Sequence, residues 1–387
     1  MIGFWNDSMH NDALQKVLVA HFRHFHRHPE PSGAEWETTA HIRKILEDAG
    51  VEILDAGLET GLVARVRGGG STKTIAFRAD IDALRIAEES GLDCASENPG
   101  VMHACGHDFH TAALIGAALE TAERREELAG DVKFIFQPSE ETAGGALSVI
   151  KSGVLDDVGQ IYGLHCAPDY PDGAVAVCPG ETFAASIEFK ITVKGRGGHA
   201  ALPHKAQDPV AAAAALITLA QTIISRNADP FDPIVLGFSH IEAGTTWNVI
   251  PDDALLEGTI RALAEKKATD AAERLGEICT GIEAAHGVRA VLDWWIDAPP
   301  TNNDAVLTEF VAEQARKLGL PVVRYVPTMM GEDFGYYQKS IRGVFFNFGV
   351  GCPYGLHTPH FVAHTGHLAD AAKLFAEIAV ESLKTRW

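Results

Sequence analysis

Apolar and polar positions along the 387-residue chain change rhythm twice. Up to about residue 182, short runs that are apolar throughout, such as "TIAFRAD", "DVKFIFQ" and "GQIYGLHC", stand between helical stretches. Strands apolar on both faces belong to a sheet covered on both sides, so this part predicts an α/β layer. "VEILDA" and "GLVARVRG" add shorter strands, and "HTAALIGAALETAERREEL" is an Ala-rich helix. Further upstream, a helix leads into a basic turn, "RHFHRHPEPSG", followed by a second helix, "AEWETTAHIRKILEDAG", closed by Gly50. His21, His24, His26 and His28 around that turn read as a solvated face.

From residue 183 the pattern alternates strictly. "AASIEFKITVKGRG" has the period of a half-buried antiparallel strand. A helix "DPVAAAAALITLAQTIISR" follows, with Pro209 near its first turn, then strands "PIVLGFSHIEAG" and "DALLEGTIRAL". A helix from about Thr269 to Ala285 and the strand "RAVLDWWIDA" complete a β-α-β-β-α-β order, the ferredoxin-like split motif. From about Pro299 the first style returns, with a helix over 304–318, "PVVRYVP", "GVFFNFGVG" and a last helix near 367–384. The expected organisation is an α/β domain of residues 1–182 and 299–387, interrupted by a smaller domain over 183–298.

Composition narrows the partners. The chain is 46% hydrophobic and 22% charged, as in ordinary globular proteins, and long enough for two domains. Its formal net charge of −20 is spread along the sequence, which argues against nucleic acid and anionic membrane as partners. No unbroken run of eighteen apolar residues suggests a membrane span, and the first residues lack the basic and apolar regions of a secretion signal, so a cytoplasmic location is expected. The six cysteines show no CxxC spacing and read as plain thiols, except Cys105, whose neighbours are unusual.

Candidate chemistry gathers where apolar strands give way to polar residues. "TIAFRADIDAL" ends in Asp80 and Asp82, and "VMHACGHDFH" supplies Cys105, His107 and Asp108 ahead of a helix. "FIFQPSEE" ends in Glu140 and Glu141, "IYGLHC" in His165, and "FNFGVGCPYGLHTPHF" in His357 and His360. Open α/β sheets place their sites in the crevice beyond the carboxyl ends of the strands, so five segments aim metal-type donors at one place. A thiolate, imidazoles and carboxylates together suit zinc, with manganese, cobalt or nickel as alternatives. They exceed the needs of one tetrahedral ion and fit two that share a bridge. The adjacent glutamates then divide the work, one as a ligand and one moving a proton.

The segments "FRADIDAL", "MHACGHDFHTAALIGAA", "FIFQPSEE", "GLHCAP", "GRGGHAALPH", "NVIPDDALLEGTIR", "GEDFGYY" and "LHTPHF" resemble, in order and over nearly the whole chain, the co-catalytic metallopeptidase-type amidohydrolases. The branch in question holds hippurate hydrolases, N-acyl-amino-acid amidohydrolases and auxin-conjugate hydrolases. The resemblance implies a di-metal α/β domain with an inserted ferredoxin-like dimerisation or lid domain, and a homodimer. It implies metal ligands at Cys105, His107, Glu141, His165 and His357, with Cys105 in the bridging position. Glu140 would be the general base, and Asp82 would orient a ligand imidazole. His199 resembles a histidine that reaches the partner's substrate, and Asn248 and Arg261 resemble residues that hold its carboxylate. The implied reaction is hydrolysis of an N-acyl amino acid to a carboxylate and a free amino acid.

Three positions depart from the family's common residues. Ser139 stands for alanine, His360 for tyrosine and Gly331 for serine, while His103 and His110 read as structural neighbours of the ligands. Three rivals share these residues: a dipeptidase or carboxypeptidase with the same machinery, a silent binding protein on the same fold, and a thiol enzyme using Cys105.

Overall fold

The computed structural model describes residues 2–70 and 73–385, with side chains from residue 11 onward. The chain divides into two compact units, one of residues 1–180, 302–326 and 336–387, the other of residues 181–301 and 327–335. Entry and return run within the short strands Gly180–Phe183 and Thr301–Asn303. The segment 327–335, which carries Gly331, groups with the second unit rather than with the returning α/β part expected from the sequence.

The larger unit holds an eight-stranded sheet. Its order is Glu52–Leu54, Leu62–Val66, Asp131–Gln137, Thr74–Asp80, Val158–Ala167, Arg342–Gly349, Val175–Val177 and Val322–Arg324. The four central strands, ending at Gln137, Asp80, Ala167 and Gly349, are parallel to their neighbours within that set, and antiparallel strands extend it on both sides. Parallel pairing puts all four carboxyl ends on one edge. Asp80 lies level with Gln137, and His165 is level with Asn347.

The reason these strands are apolar throughout is now visible. Phe77, Phe134, Phe136, Tyr162 and Phe346 are fully buried under helices, among them His107–Glu123 and Leu368–Lys384. The helix His107–Glu123 is buried on nearly every side, which its alanines permit. The first helix runs from Ile2 to Arg27, so the histidines expected in a turn are mostly helical. Phe22 and Phe25 pack into the core, and His26, one turn beyond Phe22, is carried inward with them. His26 is 1% exposed, which corrects its place on a solvated face.

In the second unit four antiparallel strands stand in the order Ile234–Ala243, Asp253–Ala262, Ala185–Lys194 and Arg289–Ala298. With the helices Pro209–Thr222 and Glu265–His286 they form the β-α-β-β-α-β arrangement read from the sequence. Ile187, Phe189, Ile191, Leu256 and Ile260 alternate inward against those helices. The stretch Pro209–Asn227 has a mean hydropathy of 1.4, long and apolar enough by composition to pass for a membrane span, although polar residues interrupt it. Its Ala212, Ala213, Leu216 and Ala220 face the core of this unit.

Candidate metal centre

The aligned strand ends bring the expected donors together in the larger unit. Cys105 Sγ lies 3.5 Å from His165 Nε2 and 3.3 Å from His357 Nε2. His357 Nε2 is 3.6 Å from Glu141 Oε1, and His107 Nε2 is 3.9 Å from the same oxygen. Two donor groups result, Cys105–His107–His165 and Cys105–Glu141–His357, joined at the sulfur. Glu140 Oε2 approaches His107 Nε2 at 4.0 Å.

Two of the candidate ligand imidazoles are held from behind. His107 Nδ1 donates to the Asp82 carbonyl at 2.9 Å, with Asp82 Oδ1 at 3.3 Å, so Nε2 faces the donors. His165 Nδ1 donates to the Cys166 carbonyl at 2.8 Å, which turns its Nε2 toward Cys105. Such hydrogen bonds fix the tautomer and aim of a ligating imidazole. His110 accepts the Cys166 amide on Nε2 at 2.8 Å and meets Asp80 Oδ1 through Nδ1 at 2.6 Å; Arg78 binds the other Asp80 oxygen at 2.6 Å. Gly106 opens this stretch at φ +85°, and a Cβ there would fall 2.8 Å from Cys166 Sγ, so glycine is required by both conformation and space.

The loop with the two glutamates is strained at both ends. Ser139 and Ala143 have φ of +54° and +52°, and His357 sits at +61°. Non-glycine residues in this region cost roughly 1–3 kcal/mol and persist where surroundings over-determine them. Here those surroundings are buried carboxylates. Glu35, 0% exposed, accepts the Ser139 amide at 2.8 Å and the Gly33 amide at 3.0 Å on Oε1, and the Thr60 hydroxyl at 2.7 Å on Oε2. Asp82 Oδ2 accepts the Glu141 amide at 3.0 Å and the Ser32 hydroxyl at 2.6 Å. In the sequence Asp82 carries an orienting task, Asp80 stands at a polar strand end and His110 reads as a structural neighbour of the ligands, but nothing there points to a role for Glu35 or Arg78. A buried Arg78–Asp80 pair on one face of a strand, two residues apart, was the available signal for Arg78.

The donor set fits divalent ions. His107 Nε2 and Glu141 Oε1 are buried without a hydrogen-bond partner, although both point at the donor cluster. Burial pushes the Cys105 thiol well above its usual range, and the Glu141 charge adds to this. Burial also raises the Glu141 carboxyl. Neutral His165, depressed to about 3 chiefly by burial, keeps its lone pair at every physiological pH. Crowded anionic donors of this kind are relieved by a dication, which inverts the local preference and deprotonates a ligating thiol.

Other expected residues lie elsewhere. His360 is turned away, its Nδ1 donating to the Glu89 carbonyl at 2.8 Å, and His103 is buried with neither ring nitrogen hydrogen-bonded. In the second unit His199 pairs with Val249 in a short ladder, beside Asn248, whose carbonyl accepts the Ala200 amide at 3.1 Å. His199 is exposed; its Nδ1 accepts the Ala201 amide at 3.1 Å, so the hydrogen is on Nε2 and points outward. Arg261 stands near the far end of the sheet, opposite Ser186, with Nε donating to Thr259 Oγ1 at 2.9 Å. A Cβ on Gly331 would fall 2.8 Å from an Arg261 guanidinium nitrogen, the mobile end of that side chain, so a larger residue there would shift Arg261 rather than the backbone.

Comparison with known proteins agrees with this geometry. The chain is 42% identical to an N-acetylcysteine deacetylase of Bacillus subtilis over 97% of its length and the whole of that protein. It is 41% identical to an N-acetyldiaminopimelate deacetylase of Bacillus cytotoxicus, over 87% of this chain and 90% of that one. A crystal structure of a Bacillus subtilis protein, described as a dinuclear metal binding peptidase, superposes with a TM-score of 0.88 at 39% identity, covering 97% of this chain and 99% of the other. Residues 76–381 match the profile of peptidase family M20/M25/M40, and the chain belongs to that family.

Proposed function

We propose that the chain is a soluble cytoplasmic hydrolase of N-acyl amino acids, with small N-acetyl amino acids as preferred substrates. The carrying observation is the pair of donor groups joined at Cys105, with Glu140 beside them. Cys105, His107 and His165 would hold one ion, and Cys105, Glu141 and His357 the other. Two divalent ions, when bound, polarise the amide carbonyl and acidify the attacking water. Glu140 takes the proton of that water as the C–O bond forms, then gives it to the nitrogen as the C–N bond breaks. The products are a carboxylate and a free amino acid. The acetyl group is favoured because related deacetylases act on N-acetylcysteine and N-acetyldiaminopimelate.

The second unit supplies recognition. Arg261 offers a guanidinium fork for the substrate's carboxylate, and His199 Nε2 donates to the oxygen that becomes negative in the transition state. These groups do not converge within one chain. Arg261 pairs with Ser186 and Asp253 with Lys194, eight residues along an extended strand, which is about 26 Å. The ladder with His199 and Asn248 continues beyond the Asp253 end, because Gly195 and Gly197 bond to Asp252. Arg261 and Asn248 of one chain therefore cannot hold one carboxylate. A homodimer in which His199 and Asn248 serve the neighbour's site removes the conflict. An edge strand, Ile234–Ala243, with Val235 and Ile241 exposed, and Val210 and Leu219 exposed on the adjoining helix, support a second copy as the cover.

Two experiments test this. Hydrolysis is screened across N-acetyl amino acids, hippurate and dipeptides with zinc, manganese, cobalt or nickel added; activity on dipeptides alone would replace the reading with that of a dipeptidase. His199→Ala and Glu140→Gln, each inactive, are then mixed under verified subunit exchange. A mixed dimer has one site with both lesions and one with neither, so about half the activity per mixed dimer returns. Mixtures that stay dead place His199 in its own chain's site.

A further inference from the structure

Outside the catalytic centre, histidines gather a second time. His21, His24 and His28 are spaced three and four apart, which aligns them on one face of the first helix. His41, on the helix Trp36–Asp48, meets that face. Its Nε2 lies 3.3 Å from His21 Nδ1. The His24 ring is stacked on His41 with centroids 3.8 Å apart, and His28 follows at 4.9 Å from His24. Phe25 packs edge-on against both His24 and His41, fixing the stack from the core side. Beside the rings is an open cavity of about 520 Å³ lined by His24, His28, His41, Glu30 and Glu37, with Lys44, which bonds Asp48, and Asn98 and Ala40 completing the wall.

We propose that this cluster is a third metal site, distinct from the catalytic pair, which takes a borderline divalent ion such as zinc. A spacing of 3.3 Å is long for a nitrogen–nitrogen hydrogen bond. It is the separation of two imidazole nitrogens on one tetrahedral zinc, about 3.3–3.4 Å for bonds of about 2.0–2.1 Å. The His21 and His41 nitrogens are thus spaced as two ligands of one ion are, and loss of the shared proton with rotation of the His24 ring would bring a third nitrogen, with His28 or solvent as the fourth donor. The rings are available as ligands: His41 is held at about 4, and His21 and His24 are lowered, by burial first and by neighbouring positive charge second. Neutral imidazoles keep the lone pairs that a metal needs. Bound there, the ion pins the end of the first helix to the second across residues 28–35.

The test counts ions in the zinc-loaded holoenzyme at equilibrium with excess free Zn²⁺. The parent should bind one zinc per chain more than the catalytic pair. His41→Asn and His21→Asn should each lose that zinc while keeping the catalytic ions and unchanged turnover. Excess zinc should raise the melting temperature of the parent and of neither variant. A parent that stops at the catalytic pair overturns the proposal, as does an extra zinc that persists in both variants, which would assign it to other surface histidines.

Discussion

The two units carry functional groups in opposite states. In the α/β unit Cys105, His107 and His165 are buried, the two imidazoles among them are locked by main-chain carbonyls, and the backbone at Ser139, Ala143 and His357 is strained, with His357 alone of the donors exposed. In the inserted unit His199 and Asn248 are exposed on a short two-stranded ladder, and Arg261 lies at the other end of the sheet. The first arrangement is complete within one chain and suits metal and proton chemistry, where positions must be held to fractions of an ångström. The second leaves its groups exposed and far apart along one sheet, the arrangement the proposed dimer would complete.

The sharpest way to break this contrast is at Glu140, the proposed proton carrier. Glu140→Gln keeps the shape, so turnover should fall by about 10²–10⁴-fold while metal content stays intact. Metal lost on changing Glu140 but kept on changing Glu141 would exchange their roles. In the inserted unit, His199→Ala should lower kcat by about 10²–10³-fold without loss of metal or stability, as removal of an oxyanion donor does.

Glu35 tests whether the α/β site depends on its props. Glu35→Ala strands the Ser139 amide, at a cost of about 1–3 kcal/mol, so kcat should drop roughly tenfold to a hundredfold with little change in KM. Glu35→Gln retains an acceptor and should recover most of the activity. Ser139→Ala should behave as the parent, because the principal contact is with the main chain.

A pH profile of stability probes the buried trio behind the centre. His26 sits between Asp108 at 2.7 Å and Glu88 at 3.0 Å; burial opposes its charge, but the two carboxylates outweigh this and raise it from 6.5 to about 10. Its stabilisation is full below 6.5 and is lost as pH rises through about 10. Glu88, lowered from 4.5 to about 2 because its hydrogen bonds outweigh burial, stabilises above 4.5 and loses this as pH falls through about 2. Urea midpoints should therefore decline on the alkaline side of neutrality, and His26→Gln should flatten that limb. The smallest effect is expected at Gly331: alanine there displaces only the flexible end of Arg261, raising KM a few-fold, about 1 kcal/mol or less, with kcat unchanged.

The clustering of the candidate donors was legible in the sequence because most of them follow an apolar strand, and parallel pairing sends such ends to one edge. The ferredoxin-like order was legible because alternation changes visibly at residue 183. Glu35 was not, since its task is to hold a main-chain amide 104 residues away, which no local pattern encodes. The four N-terminal histidines looked alike until the helix was known to continue through them. Its rotation sends His26 into the core and leaves His21, His24 and His28 facing His41. Arg261 and Asn248 were grouped by the family resemblance, and strand register sets them at opposite ends of the sheet.

Cys105 belongs to both donor groups, so the centre has a single point of oxidation. A sulfur carried to sulfinic acid no longer serves either ion as a thiolate, and this step is not reversed by ordinary thiols. In the proposed centre, damage at that atom would remove a donor of both ions at once. Under peroxide a population of these molecules would then divide into active and inactive members, and the surviving activity would count the unoxidised sulfurs.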